Sequence, residues 1–85
     1  MKASTTMKAR AYILLDIVDG KSRDVIKSLS GRPGIVKLDL LEGSPDVLVL
    51  CEAINRRVLA RLTVETLAAV EPVIENISLL PVKIS

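Results

Sequence analysis

The chain has 85 residues, room for one domain of about half a dozen elements, because two domains would each be too short to sustain a hydrophobic core unaided. Hydrophobic residues make up 49% of it and Tyr12 is the single aromatic, so the core must be built from Val, Leu and Ile, and the composition argues against disorder of the chain as a whole. A formal charge of +2, from 12 Lys and Arg against 10 acids with no long run of one sign, argues against a nucleic-acid footprint or a membrane-surface helix, and one cysteine without histidine leaves neither a disulfide framework nor a Cys/His metal site.

Met1 to Arg10 reads as a polar N-terminal extension with no apolar stretch of the signal-peptide kind, and residues 11–85 as the domain proper. No apolar run approaches the roughly 18 residues of a membrane span, so a cytoplasmic protein is expected. Ala11 to Val18 is β-branched or aliphatic at nearly every position until Asp19-Gly20 breaks it, which predicts a first strand. Ser22 is placed to cap a short amphipathic helix carrying Val25, Ile26 and Leu29 and ending at Gly31. After Gly31-Arg32-Pro33-Gly34, which cannot continue a helix, Val36, Leu38 and Leu40 alternate at strand period, giving a second strand from Ile35 to Glu42.

Gly43-Ser44-Pro45-Asp46 is a short turn, and Asp46 to Ala53 reads as the third strand, making a hairpin. Asn55 is a candidate N-cap for a longer helix whose apolar stripe is Leu59, Leu62, Leu67 and Val70, ended by Glu71-Pro72. Val73 to Val82 is a fourth strand, with Pro81 pointing to an edge or a frayed end. The predicted class is α+β, a ferredoxin-like βαββαβ domain: right-handed crossovers put both helices on one face of a four-stranded antiparallel sheet with the first and third strands central.

The other sheet face has no cover within the chain and should then alternate apolar with polar. It does not: Tyr12 and Leu14 on the first strand and Leu48 and Leu50 on the third point away from the helices. Left open they would form an apolar patch larger than soluble monomers usually expose, and the simplest cover is a second copy packed sheet to sheet. Tyr12, Leu14, Leu48 and Leu50 are accordingly the expected dimer interface.

Catalysis finds little support. The strand that would carry the stacking aromatics of an RNA-recognition motif has none, paired cysteines are absent, and without histidine the candidate acids, bases and nucleophiles reduce to Asp16, Glu42, Asp46, Cys51 and the serines. No catalytic residue, metal ligand or cofactor is therefore assigned. Cys51, mid-strand among apolar residues, reads as a packed core thiol. Asp16 in a central apolar strand needs a partner or a wet strand end, and an ion pair across a dimer would supply one. In the Glu42-to-Asp46 loop, Gly43 would let a ligand approach the backbone and Asp46 would accept an ammonium; the plain alternative is a hairpin turn with Asp46 bonding nearby N–H groups.

The succession Gly31-Arg32-Pro33-Gly34-Ile35-Val36, then Leu41-Glu42-Gly43-Ser44-Pro45-Asp46-Val47-Leu48-Val49, then Cys51-Glu52-Ala53, resembles the effector-binding domain of Lrp/AsnC (feast/famine) regulators over roughly Ala11 to Val82. The matching features are a Pro-Gly turn, a Gly-x-x-Asp hairpin leading into an apolar strand, and an acidic-Ala step into the second helix. The resemblance implies face-to-face dimers that assemble further. It also implies an amino acid or related metabolite bound between dimers near Gly43, Ser44 and Asp46, with Asn76 and Ser78 on the last strand as further candidates. Where the family usually has threonines on that strand this chain has Asn76 and Ser78, and Pro81 falls within it. Full-length regulators precede the domain with a helix-turn-helix reader, for which Met1 to Arg10 is too short. The expectation is a stand-alone form that binds no DNA directly, has no membrane partner, and can join a full-length Lrp/AsnC regulator in mixed oligomers. Three alternatives stay open: an ACT-like amino-acid-binding regulatory subunit of an enzyme, with its site at Asp19-Gly20; a ligand-free assembly or adaptor subunit; and an enzyme with an unrecognised site.

Overall fold

The computed structural model describes residues 8–82; part of the expected N-terminal extension, residues 1–7, lies outside them, as do residues 83–85. The elements run β1 Ala9–Ile17, α1 Ser22–Leu29, β2 Ile35–Leu40, β3 Val47–Ala53, α2 Arg56–Val70, a single 3-10 turn Glu71–Val73, and β4 Ile74–Val82. They form one four-stranded sheet in the order β2-β3-β1-β4, every neighbouring pair antiparallel. This is the α+β, ferredoxin-like βαββαβ arrangement expected, with β1 and β3 central.

The core lies between the sheet and its two helices. Ile13, Leu15 and Ile17 of β1 and Val47, Val49 and Cys51 of β3 are buried against Val25 and Leu29 of α1 and Val70 of α2. Period-two alternation sends these six strand residues to one face, and aliphatic packing at roughly 25 cal/mol per Å² of buried apolar surface is the main force holding the layers together. Leu59, Leu62 and Leu67 pack against the same cluster, so the predicted stripe of α2 faces the core. Its fourth-turn neighbour Thr66 is buried too, and its hydroxyl donates to the Leu62 carbonyl at 2.7 Å, which lets a polar side chain sit in the core without a lost hydrogen bond.

Several boundaries differ from the sequence reading, three of them with a clear physical cause. β1 begins at Ala9, so Arg10 belongs to the sheet: Ala9 pairs with Ala53 and Arg10 with Glu52, and that cross-strand pairing extends the strand past its apolar stretch. α1 is entered through Lys21 with no side-chain cap, and Ser22 is already helical. β2 stops at Leu40, because the chain then turns and the Leu41 N–H donates to the Asp46 carbonyl at 2.7 Å. Asn55, by contrast, caps α2 as expected, its side-chain oxygen accepting from the Val58 N–H at 2.9 Å.

A second apolar surface emerges on the helix side of β4. α2 leaves Leu79 half exposed, and with Ile54 (74% exposed) and Val64 (66%) it borders an open groove of about 940 Å³ between α2 and β4. The sequence pointed to only one uncovered face.

Candidate functional site

The Gly43-to-Asp46 hairpin is folded onto the wet end of β1. Gly43 has φ +86°, a backbone conformation that only glycine adopts freely, and the Ser44-Pro45 peptide is cis. The chain is thereby aimed back at the sheet. The Asp46 N–H donates to the Leu15 carbonyl at 2.8 Å, and the Asp46 carboxylate accepts the Ile17 N–H through Oδ2 at 2.8 Å. These two bonds tie the loop to the last turn of β1, across a separation of about thirty positions in the chain.

Ser44 completes the clasp: its hydroxyl donates to Asp16 Oδ1 at 2.5 Å. Asp16 stands directly opposite Asn76 in the β1–β4 register, and Leu14 opposite Ser78. Ser44, Asp46 and Asn76, three of the five residues suggested by the sequence resemblance, therefore lie beside one more that it did not include, Asp16, at one corner of the open sheet face, with Ser78 in the next row opposite Leu14. Gly43 supplies the bend rather than a contact: a Cβ there would meet nothing within 4 Å. Asp16 is the one charge within the apolar stretch of β1 and is costly there without a partner. What only the fold reveals is that its hydrogen-bond partner comes from the hairpin loop.

The arrangement is chemically specific. Two carboxylates, Asp16 and Asp46, each keep acceptor capacity beyond the one bond they make here, and the side-chain amide of Asn76 offers both a donor and an acceptor. Such a corner suits a small cation with hydrogen-bonding substituents, as the ammonium end of an amino acid is. It is an open shelf: Ser44 and Asn76 are exposed, and Asp16 and Asp46 are only partly buried.

The same face carries the expected self-association residues. Tyr12 pairs with Leu50 and Leu14 with Leu48 in adjacent rows of β1 and β3, so the four side chains make one central block, and Leu80 of β4, half exposed, extends the row of Tyr12. Asn76 and Ser78 project from this face as well, which puts the weaker ligand candidates at the margin of the apolar block.

Elsewhere the titratable groups look structural. Burial pushes the Cys51 thiol above its ordinary value, with the neighbouring Thr66 hydroxyl opposing the shift, and a protonated thiol behind a helix is a poor nucleophile. Glu52 is held below the usual carboxylate range chiefly by its hydrogen bond from Arg10, at 2.6 Å, with Lys8 at 3.4 Å adding to it. The Asp19-Gly20 turn is closed by the Lys21 N–H on the Val18 carbonyl at 3.0 Å. Among the described residues no group of three His, Cys, Asp or Glu could hold a metal ion, and no helix is long and apolar enough to cross a membrane.

No family model matches the sequence, and no curated protein matches it. Solved structures do. FFRP-DM1 is 24% identical over 88% of this chain and 99% of its own, with a TM-score of 0.78. PH0061 is 16% identical with a TM-score of 0.79, over 92% of this chain and 53% of its own. The transcriptional regulator NMB0573 of Neisseria meningitidis, solved as a complex with L-Met, is 15% identical with a TM-score of 0.71, over 99% of this chain and 59% of its own. The chain thus has the fold of these proteins, while spanning nearly all of one and only about half the length of the other two.

Proposed function

We propose that the chain is a small-molecule-binding and oligomerisation module of the Lrp/AsnC type, taking an amino acid or related metabolite and acting in transcriptional regulation through assembly rather than catalysis. The observation that carries the reading is the corner where Ser44, Asp46 and Asn76 meet around Asp16. The fold supports it: a protein of the same fold is named a transcriptional regulator and was solved with L-Met. The ammonium group of the ligand is received by the Asp16 and Asp46 carboxylates, Gly43 keeps the approach clear, and Asn76 and Ser78 face the rest of the molecule. Because the shelf is open, a neighbouring subunit closes it.

Two copies pair through Tyr12, Leu14, Leu48 and Leu50, and the apolar α2–β4 surface gives such dimers a further contact region. A cytoplasmic location and mixed oligomers with a full-length regulator belong to the same reading; direct DNA contact is not part of it. Thermal-shift measurement against the twenty amino acids tests it. An amino acid that binds the native state alone, present at 100 times its Kd, adds about 2.7 kcal/mol. The melting temperature should rise with at least one of them, and that rise should disappear in Asp46→Asn. If no amino acid moves the melting temperature, the ligand half of the reading is wrong.

One observation favours a second reading, a ligand-free assembly subunit: Ser44 and Asp46 already make hydrogen bonds within the chain, and these alone would justify a well-ordered hairpin. Under that reading Asp46→Asn loosens the loop and leaves every amino-acid response at zero.

A further inference from the structure

Leu79 stands opposite Ile13 in the β1–β4 register, so it points to the side of the sheet that the helices cover. Ile13 is fully buried there, while Leu79 is half exposed. The apolar stripe of α2 packs against the residues of β1 and β3, and the gap left over β4 is the groove of about 940 Å³. Ala60 and Val64 of α2 line one side of it and Leu79 and Val82 of β4 the other. Its charge is all of one sign and lies at one end: Lys8, Arg10 and Arg56 line it where β1 and α2 begin, and no carboxylate lines it. Lys8 and Arg10 share Glu52, whereas Arg56 makes no ion pair among the described residues. Val64 lies two turns on from Arg56 in the same helix, a rise of about 12 Å. Over that length Thr63 is the one polar side chain beyond Arg56 in the lining, and its hydroxyl already donates to the Leu59 carbonyl at 2.9 Å.

We propose that this groove binds a medium-chain aliphatic carboxylate, its head group on Arg56 and its tail laid between α2 and β4 toward Val64 and Leu79. Charge complementarity selects the head: a guanidinium free of ion pairs offers a carboxylate two parallel N–H donors, and an ammonium head would meet only cations. The walls select the tail. A hydrocarbon asks for no hydrogen bonds and gains by covering Val64 and Leu79, whereas a peptide laid along the same walls would bring N–H and C=O groups that they leave unpaired. The rise of about 12 Å suits an extended tail of about ten carbons.

The groove opens on the helix side of the sheet and its charged end lies by Arg10 and Val82, which pair at the opposite end of β1 from Asp16 and Asn76. It is therefore independent of the amino-acid corner, and either ligand can bind without the other. Where dimers meet through the α2–β4 surface, the tail and the neighbouring subunit exclude one another.

The test is an amide NMR titration of the whole chain with decanoate, decanol and decylamine, each below its solubility limit and its micelle-forming concentration. Decanoate should move the amides of the first turns of α2 and of Leu79 and Val82. Decanol should bind several-fold more weakly and decylamine most weakly of the three, and hexanoate should fall several-fold below decanoate because it buries fewer methylenes. Arg56→Glu, an exposed position, should reverse the order and put decylamine ahead of decanoate. Ala60→Trp, also exposed, fills the groove and should remove the response to all three. Decanol binding as tightly as decanoate, an order unchanged in Arg56→Glu, or a response that survives Ala60→Trp overturns the assignment. So does movement confined to the Gly43-to-Asp46 hairpin, which would place the carboxylate at the amino-acid corner. If the groove amides respond to the concentration of the chain and not to decanoate, a second copy fills the groove and the assignment is likewise overturned.

Discussion

At the residue scale the polar side chains divide by what they already hold. Asp46 and Ser44 are engaged in clasping the hairpin to β1, so their cost of ordering is met by the fold, and a ligand arriving there finds a preformed corner. Glu52 does a different job at the other end of the face, where Arg10 and Lys8 converge on it. Its carboxyl is depressed in the folded state, so the stabilisation it brings is present above the unfolded pKa and is lost as pH falls through the lower folded value. Arg10→Ala should bring the Glu52 carboxyl back up toward 4.5 in an NMR titration, since Arg10 is the leading cause of the shift. A Glu52 titration unmoved by that change would show that the pair does not form in solution.

At the element scale the connection between α1 and β2 is set by a glycine that the helix above it requires. Gly34 has φ +86°, and a Cβ built there would run into the Leu62 side chain of α2 and come within 3.3 Å of the Glu52 carbonyl. Its carbonyl also accepts the Glu52 N–H at 2.8 Å, tying the start of β2 to the end of β3. Gly34→Ala should therefore cost about 1–3 kcal/mol in urea unfolding, from left-handed strain together with overpacking against α2. Gly31, also at positive φ but facing open space, separates the two effects: Gly31→Ala bears the backbone strain alone and should cost less. The Pro-Gly step that the sequence marked only as a turn is thus a packing position, because α2 crosses directly above it.

At the scale of the whole molecule, the two helices bury one face of the sheet, and none of the described elements packs over the other. The partly exposed block of Tyr12, Leu14, Leu48 and Leu50 should make stability depend on concentration, with a melting temperature that rises as the chain is raised from low to high micromolar. Leu48→Glu, at the centre of the face and outside the core, should abolish that dependence and leave a monomer by light scattering. A melting temperature flat across that range in the wild-type chain would point instead to the α2–β4 surface, or to no self-association.

Element order, the central position of β1 and β3, the core-facing stripe of α2 and the Asn55 cap were all readable from the chain, because they follow from local periodicity, turn chemistry and the handedness of crossovers. So was the surplus of apolar residues on the outer face, since alternation along a strand assigns each side chain to a face before any coordinate is known. The tertiary structure alone decided the rest. That Ser44 reaches Asp16, that Asn76 stands opposite it, and that cations and anions collect at opposite ends of one face all depend on strand register between segments far apart in the chain. Register is fixed by the packing of both helices and by where the hairpin docks, and a one-residue slip would send every one of these side chains to the other side of the sheet.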